Sequence, residues 1–373
     1  MKNLFGNELC NTGRQIEFDI AKAICILGMV FVHSFEELTA PATEESVAYY
    51  IMIIVLDALF GAATFMSSMG LGIAYTWKED EEHARKLMKR GVQIFFCGYL
   101  LNICRYSLFE LFFAALYSDS EYAFVALVEA FGCDIMPFAG LSLFLFGFLK
   151  KQKLSDKGVI IVALAMSVLG SFVRFIKFES YIPCLLAGLF VGTENIYLDS
   201  VAACFPLLNW FIIVVGGYLY GKALRHCKDT HKYYSIALPI SGAITIAYLL
   251  ICIPNEYGMM NSDIFHYYFL TPFDALFCFV GMILATSVYH FLSLALGDKT
   301  KKVITRISSN INRIYCIHWV IIGFVDMMLE EVFDYTFSTI GVFIFGCLVY
   351  IISNILAEAY TRHKDKKRLA QQN

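Results

Sequence analysis

Length and composition exclude an ordinary soluble protein. The chain has 373 residues, of which 58% are hydrophobic and 16% charged, whereas soluble domains average about 45–50% apolar and about 25% charged residues. A net charge of −3 provides no field suited to nucleic acid. The 12 cysteines include no C-x-x-C pair, so the sequence predicts neither a disulfide framework nor a zinc site.

Ten apolar stretches bounded by charges predict serial membrane crossings. The second stretch contains Gly61, Gly70 and Gly72, which fits a broken or re-entrant helix. Residues 120–132 and 180–203 are interpreted as interfacial or re-entrant pieces. The ten predicted spans are residues 18–38, 47–76, 91–117, 133–149, 158–177, 204–221, 233–253, 267–294, 307–329 and 335–360.

The predicted fold class is all-α, a polytopic transmembrane helix bundle with about ten helices and one or two re-entrant or broken segments. The bundle occupies residues 18–360. A cytoplasmic N-terminal tail at 1–17 precedes it, and a basic cytoplasmic C-terminal tail at 361–373 follows.

Lysine and arginine occur on alternate links of the chain. Clusters of four or five lie at residues 78–90, 150–157, 222–232, 299–306 and 362–368, whereas the links at 36–45, 118–134, 254–266 and 330–334 contain none. Because basic residues stay on the cytoplasmic side, both termini are predicted to be cytoplasmic. We therefore expect an integral multi-pass protein of a bacterial cytoplasmic membrane.

A cleaved signal peptide is the alternative for the first span. Residues 23–32 could form its apolar core, with Ala40-Pro41-Ala42 as a crude cleavage site. However, the preceding 22 residues carry no net charge, whereas a signal peptide begins with a positive region. This difference favours a retained helix.

The first span carries a polar stripe through the membrane. Asp19, Lys22, Ile26, Met29 and His33 follow the i, i+3, i+4 spacing that places side chains on one helix face. Lys22 and His33 are 11 residues apart, which is about 16 Å along a helix. Ionisable groups in the hydrocarbon are costly, so this stripe indicates a channel through the bundle rather than packing alone.

These residues resemble a known family. The first span has Lys22, ten further residues and then His33, with Asp19 before them. This pattern looks like the first helix of the acyltransferase type 3 family of membrane acyltransferases. Other segments look like the related heparan-α-glucosaminide N-acetyltransferase-like proteins. Those proteins have asparagine in place of His33 and their essential histidine in the following loop, so the catalytic role is assigned to His33 by the type 3 pattern. The similar segments are Phe65–Gly70, Arg90-Gly91, Gly98–Asn102, Asp134–Leu141, Phe205–Trp210 and Ile314–Trp319.

The resemblance implies acyl transfer from a cytoplasmic acyl-CoA, most simply acetyl-CoA, to a hydroxyl or amine of an extracytoplasmic saccharide or glycolipid. No metal is implied. His33 would be a general base or would itself carry the acyl group. Arg105 could stabilise the oxyanion, and His318 and Asp19 complete the predicted catalytic set. Lys22, Arg90 and Arg313 would hold the phosphates of coenzyme A.

Each of these roles has a structural alternative. His33 and His318 could be core histidines, Lys22 could extend to the interface, and Arg90 and Arg313 could be positive-inside anchors. A secondary transporter or lipid flippase is the competing function, with buried Asp57, Arg105 and Asp274 as coupling sites. The small-residue faces of the second and third spans could pack within one chain or in a homodimer.

Overall fold

The computed structural model describes residues 4–39, 61–196, 200–201, 204–261 and 265–372. Nearly all of the ordered structure in these ranges is helical. The helices are α1 (Ile16–Leu38), α2 (Ala62–Thr76), α3 (Glu81–Asn102), α4 (Leu108–Tyr117), α5 (Ser120–Phe131), α6 (Ile135–Lys151), α7 (Asp156–Phe172), α8 (Tyr181–Gly188), α9 (Leu207–Arg225), α10 (Thr230–Cys252), α11 (Phe265–Tyr268), α12 (Pro272–Ala295), α13 (Asp298–Ser309), α14 (Ile311–Met328) and α15 (Thr339–Gln372).

Short irregular helices and strands join these elements. Two π-helical segments, Ile103–Ser107 and Leu329–Phe333, follow α3 and α14, and a 3-10 turn covers Gly258–Met260. The strands are β1 (Ile176–Phe178), β2 (Thr193–Asn195) and β3 (Ser200–Val201).

Six helical stretches in the described residues are long and apolar enough to cross a membrane: α1, α9, α10, α12, residues 81–117 and residues 339–367. The predicted spans 133–149 and 158–177 correspond to α6 and α7, which have 17 residues each. At 1.5 Å per residue they extend about 25 Å, less than the hydrocarbon thickness of about 30 Å. A count of ten crossings and the orientation therefore remain predictions.

The second predicted span is only partly described. Its first part, residues 47–60, lies outside the described residues, as does Asp57. The remainder forms α2, which continues through Gly70 and Gly72 without interruption. The flexibility of glycine predicts a break there, but the helix is continuous. At Gly70 the lack of a side chain allows close packing, because an added Cβ would lie 1.9 Å from the carbonyl oxygen of Val214.

The chain divides into two compact units. The first contains Met1–Arg14, Ala63–Asn102 and Leu127–Val288. In it, α3 packs on α6, where a Cβ added to Gly91 would lie 2.6 Å from the carbonyl oxygen of Gly140. Thus Gly91, one of the small residues expected to pack within or between chains, is used inside this unit.

A three-stranded sheet in the first unit departs from the all-α prediction. Strand β1 pairs with β2 in parallel, with Ile176 opposite Thr193, and β2 pairs with β3 antiparallel. The predicted span 158–177 includes the first two residues of β1, but α7 ends at Phe172. Phe175, directly before the strand, has a left-handed φ of 62°, which a continuing right-handed helix does not allow.

The second unit contains Gln15–Ala62, Ile103–Ala126 and Tyr289–Asn373. Its centre is α1, which packs against α13, α14 and α15. One apolar cluster joins α1, α14 and α15 through Val30, Ile322 and Val349, all of them buried. Helix α15 continues to Gln372, so residues 361–372 of the predicted C-terminal tail are a helical extension.

Candidate active site

Helix α1 carries the predicted polar stripe on its inner face. Ile26 is completely buried, Asp19 and Met29 are buried, and Lys22 and His33 are half-buried. The stripe therefore faces the other helices of the second unit. This placement confirms that the i, i+3, i+4 pattern marks an interior face, and it brings His33 next to α14 near the end of α1.

His33 and His318 form a hydrogen-bonded pair of parallel rings. Nδ1 of His33 lies 3.0 Å from Nε2 of His318, and the two ring planes differ by 8°. His318 is completely buried on α14. Its other nitrogen, Nδ1, lies 3.0 Å from the carbonyl oxygen of Ile314, one turn earlier in the same helix.

These contacts fix the positions of the ring protons. The carbonyl of Ile314 can only accept, so Nδ1 of neutral His318 must carry its proton and Nε2 must be the acceptor. Nδ1 of His33 must then be the donor. The lone pair of neutral His33 consequently lies on Nε2, which has no hydrogen-bond partner among the described residues. A histidine held in this tautomer can accept a proton or act as a nucleophile.

Trp319 joins this pair to a buried cation. Its indole stacks on the His33 ring with centroids 4.0 Å apart, and the Arg105 guanidinium carbon lies 4.1 Å from an indole centroid. The same guanidinium carbon lies 4.7 Å from the ring centroid of Tyr106. Arginine between aromatic faces is favoured by cation–π attraction, and Arg105 is within electrostatic range of both histidines.

The backbone around Arg105 is irregular and lies close to α14. Arg105 sits in the π-helical segment Ile103–Ser107, a conformation frequent at functional sites. A Cβ added to Gly323 would lie 2.2 Å from the carbonyl oxygen of Arg105. Only glycine leaves room for this approach, which places Arg105 beside Trp319.

Carboxylates lie close to Tyr106 and to one another. The Tyr106 hydroxyl donates a 2.7 Å hydrogen bond to Oε1 of Glu37. Asp326 on α14 is within electrostatic range of Glu37, Glu110 and Glu330. The histidine pair and Arg105 are thus accompanied by a group of acids, which can attract a cationic ligand.

Asp19 and Lys22 lie farther along the same stripe. Asp19 accepts hydrogen bonds from Ser308 Oγ at 2.6 Å and Thr305 Oγ1 at 3.3 Å, which tie α1 to α13. It precedes His33 by 14 residues, or about 21 Å along α1. The structure therefore does not bring Asp19 into the histidine cluster, and its catalytic role remains a prediction.

The predicted phosphate-binding residues belong to different units of the chain. Arg313 on α14 donates to Asn310 Oδ1 at 2.6 Å and to Thr361 Oγ1 at 3.1 Å. It lines a cavity of about 670 Å³ in the second unit, together with the cations Lys301, Lys302, Arg306 and Arg362. Arg90 is an exposed residue of α3 in the first unit.

Three residues of the cluster were not in the predicted set: Tyr106, Trp319 and Glu37. Two of them directly follow a predicted residue, Arg105 and His318, and Glu37 lies four residues after His33 on α1. The i+4 spacing from His33 is the sequence signal that indicates Glu37.

Asp274, a coupling site in the transporter interpretation, is a completely buried capping residue. Its carboxylate accepts hydrogen bonds from the Tyr248 hydroxyl at 2.7 Å, the Met259 amide at 3.2 Å and both the amide and the hydroxyl of Thr271. The Thr271 hydroxyl in turn accepts from the Asp274 amide. This reciprocal pattern is a capping box at the start of α12, which accounts for the buried charge.

Comparison with known proteins adds one match. Residues 14–250 match the family model described as heparan-alpha-glucosaminide N-acetyltransferase, catalytic. The matched region contains His33, Arg90 and Arg105, whereas His318 and Arg313 lie beyond it. No curated protein and no solved structure matches the chain significantly.

Proposed function

The chain belongs to the heparan-α-glucosaminide N-acetyltransferase family of membrane acetyltransferases, and we propose that it transfers an acetyl group from cytoplasmic acetyl-CoA to the amine of an extracytoplasmic amino sugar. The observation that carries the proposal is the His33–His318 hydrogen bond, which leaves a lone pair on Nε2 of His33. A general base needs that lone pair.

In the proposed reaction, the bound ammonium group first releases one proton to water, and the neutral amine nitrogen then attacks the thioester carbonyl. Nε2 of His33 accepts the second proton as the carbon–nitrogen bond forms. The carbon–sulfur bond then breaks, and the coenzyme A thiolate takes the proton from His33. Arg105 would stabilise the oxyanion that develops on the carbonyl oxygen. His318 is a positioning residue, because its Nε2 holds Nδ1–H of His33 and so keeps the lone pair on the reacting nitrogen.

The donor is proposed to enter from the cavity that contains Arg313. Among its cations, Lys301, Lys302 and Arg313 are assigned to the phosphates of coenzyme A. Arg313 precedes His318 by five residues on α14, about 7.5 Å along the helix. The pantetheine arm of acetyl-CoA is long enough to reach the histidine pair from phosphates held at that level.

An amine acceptor is supported by the acids near Tyr106. Glu37, Glu110 and Glu330 would attract a protonated amino sugar, whereas a neutral hydroxyl gains no such attraction. The family name points in the same direction. A saccharide or glycolipid carrying a free amine is therefore the acceptor class to supply.

The test compares His33→Gln, His318→Gln and His318→Phe in purified protein, with His231→Gln as an exposed histidine control. Acetyl transfer to glucosamine is followed by release of the coenzyme A thiol, and acetyl-CoA binding by thermal shift. We expect His33→Gln to lower kcat about 10²–10⁴-fold, the usual contribution of a general base, with binding retained. A glutamine carbonyl at position 318 can still accept from His33, so His318→Gln should be the more active of the two His318 variants.

Wild-type kcat in His33→Gln would refute the general base. Equal activity of His318→Gln and His318→Phe would refute the positioning role. If no short-chain acyl-CoA stabilises the wild-type protein, the donor assignment is wrong.

A further inference from the structure

A second cavity of the second unit has a different character. It is a groove of about 690 Å³ between α13, the start of α14 and α15. Along α15 its lining changes from Ile351 and Ile355 to Glu358, Arg362 and Lys366. These five residues follow i, i+4, i+7, i+11 and i+15 spacing, so one helix face changes from aliphatic to charged.

The apolar end of the groove is open at the protein surface. Ile351 is 53% exposed and Ile355 is 61% exposed. Exposed isoleucines on an apolar helix that can cross a membrane belong in contact with acyl chains. Ile351 and Arg362 are 11 residues apart, about 16 Å along the helix, which matches the roughly 15 Å hydrocarbon depth of one leaflet.

The charged end carries an excess of cations. Arg306, Arg362 and Lys366 face one carboxylate, Glu358, so three fixed positive charges are opposed by one negative charge. Glu358 Oε1 lies 2.8 Å from Nε of Arg362 and 3.5 Å from Nε of Arg306. Both contacts use Nε, so the carboxylate orients two guanidinium groups and leaves their terminal nitrogens for another anion.

We propose that this groove binds an anionic phospholipid, with one acyl chain against Ile351 and Ile355 and the headgroup phosphate at Arg306, Arg362 and Lys366. Basic pockets between membrane helices are suited to acidic lipid headgroups. A lipid fits the groove better than a soluble phosphate, because an acyl chain can cover the exposed Ile351 and Ile355 and a soluble anion cannot.

The groove is distinct in lining from the cavity assigned to the donor. Ile351, Ile355 and Lys366 line only the groove, whereas Lys301, Lys302 and Arg313 line only the other cavity. Arg306 and Arg362 line both. Lys366 is therefore the residue to change, and Lys364, an exposed lysine that does not line the groove, is the matched control.

The experiment titrates the purified full chain in neutral detergent with phosphatidylglycerol or phosphatidylcholine and counts bound lipids by native mass spectrometry. Wild type should bind phosphatidylglycerol in preference to phosphatidylcholine. Lys366→Gln should weaken phosphatidylglycerol binding about fivefold, which is the equivalent of about 1 kcal/mol for one lysine near an anionic lipid. Lys364→Gln should bind like wild type, and acetyl-CoA should still stabilise both variants.

Four results would overturn the proposal. Equal binding of the two lipids, or equal weakening in both lysine variants, would mean nonspecific lipid association. Displacement of phosphatidylglycerol by millimolar inorganic phosphate would assign the cations to a soluble anion. Competitive displacement by acetyl-CoA would make the groove part of the donor site.

Discussion

Replacement of Gly323 by alanine tests whether the close approach of α14 to the π-helical segment serves catalysis. The added Cβ would lie 2.2 Å from the carbonyl oxygen and 3.0 Å from the carbonyl carbon of Arg105. Ordinary van der Waals contact begins at 3.4 Å, so the Cβ and the carbonyl oxygen must move 1.2 Å apart to reach it. Both obstructing atoms are backbone atoms and cannot rotate away.

The separation should move Arg105 away from Trp319 and from His33. Misplacement of a catalytic group by about 1 Å can cost about 100-fold in rate, and overpacking of this kind costs about 1–3 kcal/mol of stability. We therefore expect Gly323→Ala to lower kcat for acetyl transfer by about one to two orders of magnitude. Acetyl-CoA binding should change little, because the donor cavity is lined by other residues.

The assay measures kcat, KM and thermal stability of the purified variant. Gly281→Ala is the control, because nothing lies within 4 Å of a Cβ at that glycine of α12. Arg105→Lys provides an independent check, since lysine keeps the charge but lacks the planar group that stacks on indole. If Gly323→Ala has wild-type kcat and stability, the packing of Arg105 against α14 does not position it for catalysis.

Three further predictions concern charges outside the histidine pair and the chemistry of His33. Asp156 accepts hydrogen bonds from Lys150 and Lys222; burial raises its pKa, but these bonds outweigh burial and lower it to about 2. Its ordinary value is 3.8, so the carboxylate stabilises the fold above pH 4 and this contribution is lost as the pH falls through about 2. Asp156→Asn should lower the free energy of unfolding by about 1–2 kcal/mol at pH 7, less than for a fully buried pair because Asp156 is partly exposed. Thermal melts should show that the difference between wild type and variant vanishes at low pH. A difference that stays constant with pH would contradict this prediction. Asp274→Asn should lower thermal stability by about 1.5–3 kcal/mol, the value of a hydrogen bond to a charged group, and wild-type melting would contradict the capping assignment. Radiolabelled acetyl-CoA without acceptor should leave no label on His33 in denatured protein, whereas a label removed by His33→Gln would favour the acyl relay.

The stripe on α1 shows how much of the site the sequence could reveal. Helical spacing alone placed Ile26, Met29 and His33 on one face, and that face is interior because a charged or polar stripe is costly in lipid. The partner of His33 required a different kind of information. His318 lies 285 residues later in the chain, and only the packing of α14 against α1 brings the two rings into contact.

The stacking around Arg105 could not be predicted from composition. The sequence has 34 phenylalanines and 22 tyrosines, so an aromatic next to a charged residue carries little information by itself. Trp319 stacks with Arg105 because α14 comes close to the Arg105 backbone at Gly323 and because Arg105 lies in a π-helical turn. Both features depend on tertiary packing. The small sheet was missed for a similar reason, because its strands have only two or three residues.

The two histidines of the proposed site lie in different parts of the chain, and only His33 lies in the region that matches the family model. The region that matches the family model ends at residue 250, and it supplies His33 and Arg105. The residue that fixes the tautomer of His33 lies beyond it, on α14, as do the indole that stacks on His33 and the glycine that admits Arg105. A base without a fixed tautomer divides its lone pair between two nitrogens, only one of which can face the substrate. The segment after residue 250 is therefore part of the proposed catalytic site, since α14 holds in place the two groups that the matched region provides.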